Sequence, residues 1–126
     1  MKQTKTVKGT VASAGRARGV ATYVEVDQPS IPFDSTNNHI LLSKSSSPAL
    51  TVYLTKAAGL AVAGAGILSH CAKVCRILDI PCVVEVSDEF LRECNGCVVE
   101  LDAINGTISI LESRGERATF DEISND

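Results

Sequence analysis

The sequence predicts a mixed α/β domain, and three observations predict it. Short runs rich in valine and isoleucine are interleaved with two helical stripes. A glycine-punctuated turn, Gly64-Ala65-Gly66, stands just before one of those helices. Asn105-Gly106, flanked by alternating apolar residues, is a hairpin signal near the end of the chain. The order expected is β-β-β-α-β-α-β-α-β-β, with hairpins and crossovers together.

Alternation in Thr6–Val11 and again in Val20–Val26 predicts two strands, with Ala12–Gly19 as a small-residue turn or bulge between them. Pro29 to Asn38 is loop, and Ile40-Leu41-Leu42 is a short buried strand. Ser47-Pro48 starts a helix, with serine at the N-cap and proline at the first helical position. Leu50, Tyr53, Leu54 and Ala57 follow at helical spacing, and Gly59 ends it. Leu60–Ala63 is a strand. The helix from Ser69 to Leu78 has Cys71, Val74, Cys75 and Leu78 to bury, with Pro81 as its stop. Cys82–Val86 and Cys97–Leu101 are strands, with a short helix over Asp88 to Cys94 between them, and the final hairpin joins Val98–Leu101 to Thr107–Leu111.

The 126 residues make one domain, 1–111, followed by an acidic tail, 112–126. A net charge of −3 argues against a dedicated nucleic-acid binder, and no stretch has the roughly 18 apolar residues that span a bilayer. Lys2, Lys5, Lys8, Arg16 and Arg18 fall in the first 24 residues with no acid among them; they form a solvated face or a patch for an acidic partner. Met1-Lys2-Gln3-Thr4-Lys5 has no apolar run behind it, so no signal peptide is expected. Five cysteines, an odd number, fit free thiols in a reducing compartment, hence the cytoplasm. Cys71-x3-Cys75 and Cys94-x2-Cys97 leave a zinc or redox module as a competing reading. His39 carries no constellation and is placed at the surface.

His70 stands out. The run from Gly64 to Pro81 places an imidazole at a helix N-terminus, where unpaired N–H groups and the positive end of the helix dipole gather. An anion carried on that ring, such as a phosphoryl group, is stabilised by those groups. Ser69 is read first as the N-cap of that helix. Arg76, six residues on, is off the His70 face; it pairs with an acid or touches the anion. Lys73, at i+3, shares the His70 face; it steadies the anion or extends to solvent.

Four patches resemble the mobile phosphohistidine domain of phosphoenolpyruvate-utilising enzymes, the swivelling domain of pyruvate phosphate dikinase, phosphoenolpyruvate synthase, enzyme I of the sugar phosphotransferase system and rifampin phosphotransferase. Gly9, Ser13, Gly15, Ala17 and Gly19 resemble its opening, with Ala14 where proline is usual. Ala57–Val62 is similar to its helix-to-strand run, and Gly96 to Gly106, with Val99 and Asp102, to its closing hairpin. Ser69-His70 with Ala72, Val74, Arg76 and Ile80-Pro81 is similar to its phosphorylation motif, the most specific of the four. The sequence departs from the pattern at Ala65, where glycine is usual, at Leu68, where threonine is usual, at Lys73, usually apolar, and at Asp79, usually glycine.

The resemblance implies a swivelling β/β/α domain, a compact mixed sheet or barrel-like fold with flanking helices. It implies His70 as nucleophile and carrier, passing a phosphoryl group from one site to another. Ser69, Cys71, Ala72, Lys73 and Arg76 become candidate phosphoryl-stabilising residues, and Gly64 and Gly66 permit the close turn. The donor, ATP or phosphoenolpyruvate with magnesium, is expected on a partner: a nucleotide-binding ATP-grasp-like chain or domain, a phosphoenolpyruvate- or pyruvate-binding one, or both. No metal or other cofactor is expected on this chain, and it is a component of a phosphotransferase or dikinase-type system, not a complete enzyme alone. The competing reading within the same fold is a non-phosphorylated scaffold or regulatory domain.

Overall fold

The computed structural model describes residues 5–25 and 38–113. Eight strands form: β1 (Lys5–Lys8), β2 (Thr10–Ser13), β3 (Arg16–Tyr23), β4 (Ile40–Ser43), β5 (Gly59–Val62), β6 (Cys82–Val84), β7 (Val98–Asp102) and β8 (Thr107–Glu112). Three helices join them: α1 (Thr51–Leu54), α2 (His70–Leu78) and α3 (Asp88–Cys94). The strand order is β1-β8-β7-β3-β4-β5-β6-β2. Its two end strands are a single stretch of chain interrupted at Gly9, so the sheet folds back on itself. One layer, β1-β8-β7-β3, is antiparallel; in the other, β3 to β6 run parallel and β2 closes the edge antiparallel to β6.

Period-two alternation splits the apolar side chains between two cores. Ile40, Leu42, Ala61 and Val83 face the other sheet layer and pack with Val99, Leu101 and Ile108. Leu41, Leu60, Val62, Cys82 and Val84 face the helices and pack with Leu50, Leu54, Cys71, Ala72 and Cys75. The layers are therefore β, β, α. Fully buried leucines are numerous in both cores, and each contributes about 1.5–3 kcal/mol relative to exposure.

Several local expectations need correction. Arg16–Gly19 is not turn but the first half of β3, paired with Val99–Asp102 of β7. The helix begun at Ser47 is a 3-10 turn, Pro48–Leu50, and then one turn of α-helix. It ends at Leu54, and Gly59 opens β5 instead of ending a helix. A leucine side chain and Pro81 explain the glycine: an added Cβ would sit 2.7 Å from the Leu101 side chain and 3.4 Å from the Pro81 carbonyl. Helix α2 stops before Pro81, at Asp79 in the left-handed conformation (φ 59°, ψ 45°). Both Asp79 and Ile80 donate backbone N–H groups to the Cys75 carbonyl, which closes the helix end. That φ is the reason glycine suits this position. Leu78 lies exposed, not in the stripe it was assigned to; Ala72 takes the inward place. His39 is half-buried, its Nδ1 2.7 Å from Thr22 Oγ1. Residues 29–37 of the expected loop and 114–126 of the expected tail lie outside the described residues.

All five thiols are free and buried. Cys71, Cys75 and Cys82 lie in the core under the helices, Cys94 and Cys97 in the core between the sheets. The two spaced pairs therefore face opposite sides of a sheet and do not converge on one site. Burial pushes the Cys94 thiol up to about 12 from its ordinary 9.0. Burial, then the hydrogen bond to Asp88, pushes the Tyr23 phenol up to about 12 as well. Both groups hold their protons more tightly folded than unfolded. Their contribution is complete below pH ~9 and is lost as pH rises toward 12. Urea midpoints are expected to be level from pH 7 to 8.5 and clearly lower at pH 10.5, and Cys94→Ala is expected to shrink that fall. An equal fall in the variant would remove Cys94 from the account.

Candidate functional site

Strands β4, β5 and β6 are parallel, so the loops leaving their carboxyl ends gather on one rim, where open α/β sheets hold ligands. The loop after β5 is tied to the loop after β4: Ala63 N–H donates to Ser43 O (3.0 Å) and Gly64 N–H to Lys44 O (2.6 Å). A Cβ at residue 64 would lie 2.9 Å from that Lys44 oxygen, which is why glycine stands there. Gly66 has nothing within 4 Å of such a Cβ, so the close turn depends on Gly64 and not on Gly66.

The turn delivers Ser69 in extended conformation as the N-cap of α2, its hydroxyl accepting from Ala72 N–H at 3.4 Å. His70 is the first helical residue and is exposed. Its Nε2 lies 3.1 Å from Thr51 Oγ1, at the start of α1. Cys71 N–H donates to Ser46 Oγ at 2.9 Å, and the Cys71 thiol donates to Ser47 O at 3.3 Å. The N–H groups of Cys71 and Ala72 are thus already held by Ser46 and Ser69. Cys71 itself is buried, and its thiol is pushed up by burial. Lys73 is exposed.

Arg76 forms no acid pair among the described residues. Its Nη1 donates to Ala12 O and to Ile67 O, each at 2.9 Å. The guanidinium ties the site loop to β2 from below. Thr51 and Ser46 are the side chains that sequence reasoning missed. Each is remote from His70 in the chain, and a lone hydroxyl in a Ser/Thr-rich stretch carries no spacing signal.

Beside this loop pair lies a cleft of about 540 Å³ lined by Lys44, Ser45, Ala63, Gly64, Val86 and Asp88. Asp88 accepts from Tyr23 Oη (2.6 Å) and Arg92 Nε (2.9 Å). Burial works against its ionisation, but those two donors outweigh it and hold the carboxyl below its usual range.

The sequence profile of the PEP-utilising enzyme mobile domain matches residues 35–106, more than half of the chain. The chain belongs to the mobile-domain family of PEP-utilising enzymes. Among solved structures, the mobile domain here is similar to a chain of Thermococcus kodakaraensis aconitase X in its holo-form, with a TM-score of 0.62 and 23% identity over 86% of this chain and 99% of that one. It is similar to a UPF0107 protein, with a TM-score of 0.64 and 15% identity over 86% of this chain and all of that one. It also resembles a solution structure of Enzyme I, with a TM-score of 0.52 and 18% identity, covering 81% of this chain but 40% of that one. At these identities the likeness is one of fold. No curated protein sequence matches the mobile domain.

The fold places His70, Cys71, Ala72, Lys73 and Arg76 on α2, with Ser69 as its N-cap. It brings Thr51 and Ser46 to them from the neighbouring segment. None of the helices is long and apolar enough to cross a membrane, among the described residues.

Proposed function

We propose that His70 is a phosphoryl carrier. The observation that supports it most is the exposed imidazole at the first position of α2, inside the family match, with Nε2 held by the Thr51 hydroxyl. In the reactive tautomer Nδ1 keeps its proton and the Nε2 lone pair is the nucleophile. That lone pair attacks the phosphorus of the donor. The N–P bond forms as the bond from phosphorus to the donor oxygen breaks, and the donor departs as nucleoside diphosphate or enolate. Thr51 Oγ1, 3.1 Å from the attacked nitrogen, is within reach of an oxygen on the new phosphoryl group. Ser69 and Ser46 orient the helix start. Arg76 holds the loop beneath the ring, and Lys73 offsets added negative charge. Transfer onward reverses the step at an acceptor.

Donor, magnesium and acceptor sites belong to partner chains or domains, ATP-grasp-like or phosphoenolpyruvate-binding. The five free thiols fit a reducing compartment, the cytoplasm. The test is labelling of the pure chain by the source cell's extract with radiolabelled ATP or phosphoenolpyruvate, beside His70→Ala. Acid-labile, base-stable label on the wild type and none on the variant is the expected result. Label of equal intensity on both would sink the proposal. One observation favours a second reading, a domain of this fold that works by binding without phosphorylation. Two of the similar solved chains, an aconitase X chain and a UPF0107 protein, are matched over almost their whole length, so this fold also stands as a chain by itself. Absence of label on a folded wild type would select it.

A further inference from the structure

The cleft between the loops after β4, β5 and β6 plays no part in the carrier step. Its walls are fixed before anything enters. Ala63 and Gly64 N–H groups hold the Ser43 and Lys44 carbonyls, and Val86 N–H donates to Val62 O at 3.3 Å. The buried Ser43 hydroxyl donates to Ser45 O at 2.8 Å and so fixes the first loop from below. A preformed cleft of about 540 Å³ at the carboxyl ends of parallel strands has the size and the place of a small-molecule site.

Its lining joins an apolar part to two opposite charges. Val86, which is buried, and Ala63, which is half-buried, supply the apolar part. Lys44 supplies a cation and Asp88 an anion. These two do not close into an ion pair, unlike Lys5 with Glu93 at 2.8 Å or Arg18 with Glu100 at 3.1 Å. The Lys44 ammonium has no hydrogen-bond partner among the described residues. Asp88 stays ionised: burial disfavours its charge, but the Tyr23 hydroxyl, Arg92 and, by charge alone, Lys44 outweigh that cost. Arg92 does not cancel Asp88 outright, because it also pairs with Glu25 at 3.6 Å. An ionised carboxylate offers about four acceptor positions, and Tyr23 Oη and Arg92 Nε take one on each oxygen. Asp88 therefore keeps acceptor capacity, and its side chain is 28% exposed.

A ligand with a single charge meets one matching and one opposing group in this cleft. A ligand with both charges satisfies the two together. We infer that the cleft binds a free α-amino acid, with its carboxylate on Lys44 and the Ser45 hydroxyl, its ammonium on Asp88, and an apolar side chain against Val86 and Ala63. This site goes beyond the carrier reading and stands without it. It lies at the near end of the loop whose far end is Ser69, the cap before His70, so its occupant grips the root of the segment that presents the imidazole.

The experiment titrates the full nitrogen-15-labelled chain at neutral pH and follows the backbone amide shifts. The probes are L-leucine, L-leucinamide, which lacks the carboxylate, and N-acetyl-L-leucine, which lacks the ammonium. Saturable shifts centred on Ala63, Gly64 and Val86 are expected with L-leucine, and affinity lower by roughly tenfold or more with either single-charge probe. Lys44→Met, a change at an exposed residue, is expected to weaken L-leucine by the same factor and to leave L-leucinamide no weaker. Asp88→Asn is expected to weaken L-leucine likewise and to leave N-acetyl-L-leucine no weaker. No saturable shift up to the solubility of L-leucine overturns the site, as do shifts centred outside the cleft. Equal affinity for N-acetyl-L-leucine overturns the amino acid and leaves a plain anion site. Labelling of His70 is measured separately, so failure here leaves the carrier standing, and failure there leaves this site standing.

Discussion

Replacing Gly9 by valine is expected to lower the unfolding free energy by roughly 3 kcal/mol or more, and by alanine by about 2 kcal/mol. Gly9 is the one residue between β1 and β2, where the chain leaves one sheet layer for the other. An added Cβ would lie 2.5 Å from the Val84 carbonyl oxygen and 2.8 Å from the Val83 and Val86 side chains. Backbone cannot step aside without disturbing the pairing of β2 with β6, and Val83 is fully buried. The crossing is also pinned by Gly9 N–H donating to Gly106 O at 2.7 Å. Gly66→Ala is the matched control, since open space surrounds that position, and it is expected within about 0.5 kcal/mol of wild type. Urea denaturation of the three variants beside the wild type measures the difference. A Gly9→Ala protein as stable as Gly66→Ala would show that the layer crossing tolerates a side chain.

Thr51→Val is expected to slow phosphorylation of His70 by roughly a hundredfold, the lower end of the range seen when one preorganised donor is removed from a reacting centre. Valine keeps the shape and removes the hydroxyl that meets Nε2 at 3.1 Å. Without it the ring loses the partner that favours a proton on Nδ1, and the new phosphoryl oxygen loses a donor. Thr51→Ser is expected to restore most of the rate. Nitrogen-15 spectra of the ring give a readout that mere loss of stability does not move: the tautomer ratio shifts in Thr51→Val and returns in Thr51→Ser. Equal rates and equal spectra for all three proteins would reduce Thr51 to packing.

The α2 segment was legible because its signals are local. Serine at the cap, a helical stripe and a glycine turn lie within a few residues of one another, and helix α2 begins one residue from the expected cap. The closing hairpin and the short α3 were legible for the same reason. The first helix was not, because Leu50, Tyr53, Leu54 and Ala57 match a helical face while the chain needs only one turn before β5 begins. Arg16–Gly19 looked like turn because its residues are small or charged; its strand state comes from pairing with β7, eighty or more residues away. The hydroxyls of Thr51 and Ser46 belong to the same class of long-range fact. They reach His70 and Cys71 only once β4 and β5 lie side by side.

Strand β1 begins opposite the end of β8, with Lys5 paired to Ile110. The two ends of the described domain therefore leave side by side from the outer sheet layer, while His70 sits in the helical layer on the far side. Such a unit grafts into a host loop with two adjacent tethers and little distortion. Layers stack about 10 Å apart, so the ring stands roughly 20 Å from that pair of tethers. A rotation of about 30° at the tethers would sweep it through some ~10 Å without any change inside the domain.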